Sequence, residues 1–343
     1  MGERKIRNME EFATVSGISR PTVSKYFNDP KSVRQSTRDR IEAAIEQYGY
    51  RPNIYAINQN RRLTKNIGVV VPYLADPFFA EIARNIENLI NAAGFRPILL
   101  SSQGDPQLEI DNLDSLRSIK PAGALLAPLG RASDHSAIET FCEDVPSVLF
   151  DSNISAAGEA FVGSNNDQSI ALIVEYLCRT GEPPAFFEMK TPTNPNAFKR
   201  RHAYLHVMER LGHAPQLVQI DGTGWDFEEI GFRGANQMMD ERSLQTNTVL
   251  CSNDRLAIGV LSAAFERGVP VGNGANCAMR VAGHDDHPFS RFTCPTLTTV
   301  AQDYTSIAQR SAETLFDLIE SEARAELRDT TLFDGKLIMR GSA

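Results

Sequence analysis

Residues 8–28 read NMEEFATVSGISRPTVSKYFN, and this stretch predicts two short helices joined by a turn. Asn8 is placed to cap the first helix, with an acidic residue three positions later in the spacing of a capping box. Gly17 ends that helix, and Ser19 is placed to cap a second helix over residues 20–27. Two short helices joined by a glycine-containing turn are typical of a helix-turn-helix, whose second helix enters the major groove of DNA.

A third helix is predicted over residues 36–48. Ser36 is placed to cap it, Asp39 occupies the capping-box position, and Gly49 ends it. The apolar residues of the segment recur at the spacing of one buried helical face: Ile41, Ala44, Ile45 and Tyr48. The N-terminal segment is therefore predicted to be a small all-α domain.

Charge separates this N-terminal segment from the rest of the 343-residue chain. Residues 1–66 carry 13 Lys and Arg against 7 Asp and Glu, whereas residues 67–343 carry 22 against 36. A basic head on an acidic body indicates that only the head meets a polyanion. Charge alone does not exclude the alternative that the charged N-terminus interacts only with water.

The composition excludes several classes of protein. Hydrophobic residues make up 42% of the chain and charged residues 23%, as in globular domains. No apolar run approaches the roughly 18–20 residues that span a bilayer, and no apolar segment typical of a signal peptide follows the first residues. The five cysteines form no CxxC pair, so reduced thiols in a cytoplasmic protein are expected. A head that binds DNA would place that protein with the nucleoid.

The head resembles the N-terminal signature of the LacI/GalR family of bacterial transcriptional regulators. The resemblance covers residues 9–24 and continues to the GYRPN segment at residues 49–53. It implies base contacts from the start of the second helix, where an arginine can present its fork to guanine: Arg20, Pro21 and Lys25. It also implies contacts to phosphates, which set the register on DNA: Thr22, Ser24, Asn28, Arg34 and Thr37.

The segment after Pro52 departs from the family. Many members carry a hinge helix ending in Ala-x-x-Leu, whose paired leucines wedge into the minor groove. Ala56 matches the alanine, but Gln59 stands at the leucine position. A glutamine must leave its amide partly desolvated to act as such a wedge. We therefore expect Gln59 to contact base edges or phosphates and the operator to bend less.

After residue 65 the sequence alternates between apolar strands and amphipathic helices. Two such series, each with four or five strands, predict two doubly wound lobes with parallel sheets. Ligands of such sheets bind beyond the carboxyl ends of the strands, here across a cleft. This body also resembles the LacI family, and through it the periplasmic sugar-binding proteins, at segments that include NIGV at 66–69, DPFF at 76–79, CSND at 251–254 and GHD at 283–285.

The resemblance divides the chain into four parts. They are a helix-turn-helix domain at 1–51, a hinge helix and linker at 52–65, a first effector-binding lobe at 66–166 plus 302–326, and a second lobe at 167–301 plus 327–343. The fold class is therefore an all-α head followed by a periplasmic-binding-protein-like α/β body. Because two DNA half-sites require two heads, a homodimer is expected. A tetramer is not, because no leucine heptad helix follows residue 338.

The candidate effector-binding residues lie at strand ends or in the loops that follow. Phe78 and Phe79 can stack on a ring, carboxylates can accept from paired hydroxyls, and an arginine can donate two hydrogen bonds. The remaining candidates are Asp151, Arg200, Trp225, Asp226, Asn253 and Asp285. Aromatic platforms with carboxylates suit a polyol, and a monosaccharide or sugar derivative fits best. A purine, which needs fewer carboxylates, is the alternative.

The sequence contains no convincing enzyme motif. It lacks GxGxxG after the first strand, a GxxxxGK[ST] phosphate loop and a GxSxG turn. His202 and His206 are four residues apart, but no third metal ligand accompanies them, so no metal or cofactor is expected. The sequence thus predicts a sugar-responsive, sequence-specific DNA-binding repressor with no catalytic residues. The alternative is a cytoplasmic sugar-binding protein or α/β enzyme with an incidental basic N-terminus.

Overall fold

The computed structural model describes residues 6, 8–28, 30–50, 64–155, 157–321 and 328–343, with the side chain of Asn28 left out. It divides into two compact units, which we call the head (residues 1–64) and the body (residues 65–343). Most of the predicted hinge, including Ala56 and Gln59, lies outside the described residues. Among the described helices, none has the length and apolar character needed to cross a bilayer.

The head contains three helices, α1 (Met9–Ser16), α2 (Arg20–Asn28) and α3 (Gln35–Tyr48), with a 3-10 turn at Pro30–Ser32 between the last two. Asn8 caps α1 as predicted, because its Oδ1 accepts from the backbone N–H of Glu11 at 2.9 Å. Gly17 follows α1 with φ +62°, a left-handed conformation that favours glycine. The predicted helix-turn-helix is thus present in the described residues.

The start of α3 differs from the prediction. The helix begins at Gln35, so Ser36 lies inside its first turn, and Arg34 precedes the helix without capping it through its side chain. The predicted cap at Ser36 is therefore wrong, because sequence spacing does not determine which residue leaves the helical conformation. The predicted apolar face is largely present: Ile41 and Ala44 join a buried cluster with Phe12, which stacks on Tyr50 at a centroid distance of 4.4 Å.

The first lobe of the body, lobe 1, is built on a six-stranded parallel sheet with the order β11-β5-β4-β3-β1-β2. Its strands are β1 (Asn66–Val71), β2 (Arg96–Ser101), β3 (Gly123–Leu126), β4 (Ser147–Phe150), β5 (Ala160–Ser164) and β11 (Asp329–Phe333). Its helices are α4 (Pro77–Ala92), α5 (Pro106–Ser118), α6 (His135–Asp144) and α11 (Tyr304–Ser321). As expected, α11 packs on lobe 1, against α4 and β3–β5.

Lobe 2 is built on a four-stranded parallel sheet with the order β7-β6-β8-β9. Its strands are β6 (Ala185–Met189), β7 (Gln216–Ile220), β8 (Thr248–Cys251) and β9 (Arg280–Ala282), and its helices are α7 (Asn166–Thr180), α8 (Ala197–Arg210), α9 (Phe227–Glu241) and α10 (Asp254–Glu266). A separate antiparallel pair, β10 (Thr299–Ala301) and β12 (Lys336–Ile338), lies where the chain crosses between the lobes.

The last crossing differs from the predicted boundary at residue 327. Strand β11 pairs in parallel with β5, with Asp329 opposite Ala160, and so belongs to the sheet of lobe 1. The chain leaves this sheet after Phe333 and joins β10 from Lys336 onward. The physical reason is that β5 would otherwise present an unpaired edge, which β11 satisfies with backbone hydrogen bonds.

Helices α9 and α10 cross almost backbone to backbone. A Cβ added at Gly259 would lie 2.3 Å from the carbonyl oxygen of Glu228, and one at Gly231 would lie 2.4 Å from that of Leu256. Such distances are far below van der Waals contact, so neither glycine can be replaced without moving a helix. The close crossing fixes the starts of both helices relative to each other.

Candidate functional site

A small polar cavity lies between the two lobes. Six of its lining residues were predicted from the sequence: Phe78, Phe79, Asp151, Arg200, Asn253 and Asp285. Six more were not predicted: Asp76, Asn194, Asn196, Phe227, Arg255 and Gln302. Its location at the carboxyl ends of parallel strands is the one expected for a ligand site in such sheets.

Arg200 and Asp285 form a buried ion pair at one wall of the cavity. Arg200 projects from α8 and its side chain is 2% exposed. Its Nη2 donates to Asp285 Oδ1 at 2.7 Å, its Nη1 to the carbonyl oxygen of Ser252 at 2.7 Å, and its Nε to Asn166 Oδ1 at 3.1 Å. Each guanidinium nitrogen therefore has an acceptor, which offsets the cost of burying the charge.

Asp285 connects this ion pair to the segments that join the lobes. Its Oδ1 also accepts from Gln302 Nε2 at 2.7 Å, and Gln302 accepts from the hydroxyl of Ser164. Gln302 lies between β10 and α11, and Ser164 ends β5, so both belong to segments where the chain crosses between lobes. The hydroxyl of Tyr304 donates to the backbone carbonyl of Asp285. Asp285 is therefore linked by hydrogen bonds to two of the segments that cross between the lobes.

Burial by itself would raise the pKa of Asp285, but Arg200 and His284 outweigh burial and hold it below its usual value. Burial and the neighbouring Arg200 lower the pKa of His284 to about 4, so the imidazole is neutral at pH 7. Its Nδ1 lies 3.0 Å from Asp285 Oδ1 and its Nε2 lies 2.9 Å from Ser169 Oγ. Because the carboxylate only accepts, a proton on Nδ1 satisfies both contacts.

Asp151 lies on the opposite lobe, directly after β4, with φ +60°. Asn196 reaches it from lobe 2, and its Nδ2 lies 2.7 Å from Asp151 Oδ1 and 3.2 Å from the Asp151 carbonyl oxygen. Burial raises the pKa of Asp151 to about 6, although Lys199 and Arg200 act in the opposite direction. Near neutral pH this carboxylate is therefore mostly ionised and accepts hydrogen bonds.

A second contact between the lobes runs through Arg255, at the start of α10. Its Nη1 lies 3.0 Å from Asp76 Oδ2 in lobe 1, and its Nε and Nη2 bind Glu228 at 2.8 Å and 2.6 Å. Asp76 also caps α4 by accepting from the N–H of Phe78 at 3.0 Å. The close crossing of α9 and α10 holds Glu228 beside Arg255. Sequence reasoning missed this bridge, although Asp76 begins the DPFF segment and Arg255 directly follows CSND.

Asn253 and Asp254 organise the loop after β8. Asn253 caps α10, because its Oδ1 accepts from the N–H of Leu256 at 2.8 Å, and it also lines the cavity. Asp254 is fully buried and accepts from Thr299 Oγ1 at 2.6 Å and Ser290 Oγ at 2.6 Å. Burial raises the pKa of Asp254 to about 7. Asp254 thus ties lobe 2 to the crossing strand β10.

The aromatic residues of the cavity do not form a parallel slot. Phe78 and Phe79 meet nearly at right angles, with an interplanar angle of 85° and a centroid distance of 4.9 Å. Trp225 is buried behind Phe79 and does not line the cavity, and Asp226 is exposed outside it. Six of the eight predicted effector residues are therefore brought together, and these two are not.

Helix α2 presents the predicted base-contacting residues on the surface of the head. Arg20, Pro21 and Lys25 are exposed, whereas Val23 on the opposite face is buried. Four of the five predicted phosphate contacts also have some exposure: Thr22, Ser24, Arg34 and Thr37. The side chain of Asn28 lies outside the described residues. A positively charged helix face with its apolar side in a small core is suited to binding DNA.

The structure defines a class of protein in which a helix-turn-helix head is joined to a two-lobed body with a polar cavity. Residues 8–53 match the family described as bacterial regulatory proteins, lacI family, and residues 168–343 match the periplasmic binding protein-like domain. The chain belongs to the LacI family of bacterial regulatory proteins. Among the described residues, no group of three or more His, Cys, Asp or Glu could hold a metal ion.

Relatives and solved structures match nearly the whole chain. The NTD biosynthesis operon regulator NtdR of Bacillus subtilis (strain 168) is 25% identical over 334 residues, 97% of this chain and 99% of that protein. The HTH-type transcriptional repressor PurR of Histophilus somni (strain 129Pt) is 26% identical over 321 residues, 92% and 93% of the two chains. The Lac repressor dimer bound to operator and the anti-inducer ONPF has the same fold, with a TM-score of 0.81 and 23% identity over 98% of this chain and 99% of that one.

Proposed function

We propose that this chain is a transcriptional repressor that binds operator DNA as a homodimer and changes its operator affinity when a small polyol binds in the cavity. The observation that carries the proposal is the combination of an exposed Arg20, Pro21 and Lys25 on α2 with a cavity in the body that contains six predicted effector residues. The repressor and operator in the names of its relatives support the same function.

The chemistry of the cavity favours a monosaccharide or sugar derivative as the effector. A sugar presents many hydroxyl groups, and Asp151 and Asp285 are carboxylates that can each accept from them. Among the described hydrogen bonds, none engages Oδ2 of Asp285, so this oxygen remains for a ligand. A purine prefers a parallel aromatic slot, and the perpendicular Phe78 and Phe79 do not offer one.

The proposed coupling runs from the cavity to the crossing segments. A hydroxyl bound at Oδ2 of Asp285 shares the carboxylate whose Oδ1 accepts from Gln302 and Arg200, and Gln302 contacts Ser164 on another crossing. A change in lobe closure therefore alters both crossings, through which lobe 1 and lobe 2 are joined. We propose no catalytic residues, because the cavity residues hold one another in ion pairs and hydrogen bonds and the relatives are named as regulators. The protein acts in the cytoplasm, where bacterial DNA lies.

On DNA, we propose that Arg20, Pro21 and Lys25 contact bases and that Thr22, Ser24, Asn28, Arg34 and Thr37 contact phosphates. Selection of bound fragments from genomic DNA would define the operator, which should be pseudo-palindromic because two heads bind it. The logarithm of affinity should fall linearly with the logarithm of salt concentration, because counterions are released from each neutralised phosphate. Selected fragments without sequence preference would contradict the proposal.

The effector class is tested by thermal unfolding of the full chain with a panel of monosaccharides, sugar alcohols and purine bases. A ligand at 100 times its dissociation constant stabilises the native state by about 2.7 kcal/mol. We expect a sugar to raise the midpoint of the parent but not of Asp285→Asn, and to change operator binding. The matched control is Asp286→Asn, outside the cavity lining, which should keep the response. A purine response, or a sugar response unchanged in Asp285→Asn, would contradict the assignment.

A further inference from the structure

The side chain of Trp225 extends from lobe 2 and packs on lobe 1. It follows β7, and its ring stacks on Tyr73 at a centroid distance of 5.2 Å and an interplanar angle of 10°. It also meets Phe79 edge to face at 6.1 Å and 70°. Tyr73 follows β1 and Phe79 lies on α4, so both partners belong to lobe 1. Trp225 is only 6% exposed, and its ring contacts aromatic side chains of both lobes, because it also lies 5.6 Å from Phe227 of lobe 2.

Gly104, in the loop after β2 of lobe 1, makes room for the indole. Its φ is +76°, and a Cβ added there would lie 2.5 Å from Trp225 Nε1 and 3.2 Å from Cδ1. We call Tyr73, Phe79 and Gly104 the tryptophan socket. Any side chain at Gly104 would overlap the indole, because the ring system cannot shift between a stacked tyrosine and the glycine backbone.

The position of Trp225 opposes a direct role in effector recognition. The ring lies behind Phe79 and is not among the residues that line the cavity. Its Nε1 is buried and has no hydrogen-bond partner among the described residues. Stacking on Tyr73 stabilises the closed lobes, and the unpaired N–H destabilises them. Because the two contributions to the free energy of closure oppose each other, the contact can both form and break.

We propose that Trp225 is a positioning residue that holds the two lobes closed by packing in the tryptophan socket, and that it leaves the socket when the lobes open. The effector's affinity then depends on Trp225 through lobe closure rather than through contact. The statement that effector affinity depends on Trp225 rests on the proposed function, whereas the packing of Trp225 in the tryptophan socket does not.

The sole tryptophan makes the closure contact directly observable. The experiment measures acrylamide quenching and the emission maximum of Trp225 in the full chain without added ligand. We expect Gly104→Ala to raise the quenching constant severalfold and to shift emission to the red, because the added methyl group excludes the indole from its socket. The matched control is Gly94→Ala, at which φ is +78° and nothing lies within 4 Å of the added Cβ. It carries the same backbone strain and should leave the fluorescence unchanged.

A second pair of variants keeps the test valid if Gly104→Ala fails to fold. Tyr73→Ala removes the stacking partner and should raise quenching, whereas Tyr73→Phe retains the ring and should restore the parent value. Quenching in Gly104→Ala equal to that in Gly94→Ala, or in Tyr73→Ala equal to that in Tyr73→Phe, would overturn the inference. When a sugar is found, Gly104→Ala should weaken its binding by about tenfold, or 1.4 kcal/mol. If the sugar screen fails while quenching differs as expected, the effector class is wrong and the closure contact stands.

Discussion

Replacing Arg200 by methionine tests the buried ion pair on which the cavity is built. The variant keeps a long side chain but removes the donors to Asp285, Ser252 and Asn166, at 2.7, 2.7 and 3.1 Å. Asp285 then retains only neutral partners at neutral pH, since burial, the larger cause of the low pKa of His284, still disfavours a charged imidazole when Arg200 is removed. Removing one partner of a buried pair costs about 3–5 kcal/mol. We expect Arg200→Met to lose this amount of the free energy of unfolding at neutral pH.

The loss should depend on pH in a defined direction. In the parent, the folded pKa of Asp285 lies below its unfolded value, so its stabilising contribution is present above about pH 4 and is lost as pH falls through the folded pKa. Without Arg200, burial raises the folded pKa above the unfolded value, so the ionised carboxylate destabilises the variant above about pH 4. The difference between parent and variant should therefore shrink as the pH approaches about 4.

Urea unfolding followed by circular dichroism at neutral pH and near pH 4.5 measures this difference. The control is Arg84→Met, because Arg84 is 63% exposed and pairs with Glu81 on the surface of α4, where water screens the charges and the pair adds little to stability. Adding Asp285→Asn to Arg200→Met should recover part of the loss, because no unpaired charge remains. A cost below about 1 kcal/mol that does not change with pH would refute the reasoning.

Four further predictions concern other parts of the chain. Burial raises the pKa of Asp254 to about 7, so its stabilising contribution is complete below the unfolded pKa of about 3.9 and is lost as pH rises toward 7. Asp254→Asn should therefore reduce the decline of the free energy of unfolding with pH, measured by urea unfolding between about pH 4 and about pH 7. An unchanged slope would contradict this prediction. Arg255→Gln removes the charge that joins lobe 2 to Asp76 and should weaken effector binding by about tenfold in calorimetry, because closure becomes less favourable. Arg20→Ala should cost about 1–3 kcal/mol on the operator and relax one base position, whereas an equal loss on random DNA would show a phosphate contact. Gln59→Leu should increase operator bending measured by circular permutation, and a strong bend in the parent that the variant leaves unchanged would show that another side chain is the wedge.

Much of the cavity could be predicted because parallel sheets bring their carboxyl ends to one edge. Asp151 directly follows β4, Asn253 follows β8, and Asp285 follows β9 within three residues, so the strand pattern alone places them near a common cleft. Arg200 lies on helix α8 rather than at a strand end, and its three acceptors explain why an arginine is buried there. The spacing of turn residues likewise predicted the cap at Asn8 and the end of α1 at Gly17.

The remaining features depend on contacts that no local pattern encodes. Asp76 and Arg255 are 179 residues apart, and their ion pair follows from how the lobes close. Trp225 has the residue type of a ring platform, but the direction of its side chain is set by the space that Gly104 leaves in the other lobe. The pairing of β11 with β5 was missed because periodicity identifies a strand without showing which sheet edge it joins.

Because β11 lies late in the chain, the sheet of lobe 1 can be completed only near the end of synthesis. The three helices of the head are complete once residue 50 has left the ribosome, whereas the sheet of lobe 1 lacks its outermost strand until Phe333 has emerged. At a bacterial elongation rate of about 5–20 residues per second, that interval is roughly 15–60 s. Each nascent chain therefore carries its DNA-contacting helices for that time before the sensor that regulates them can finish folding.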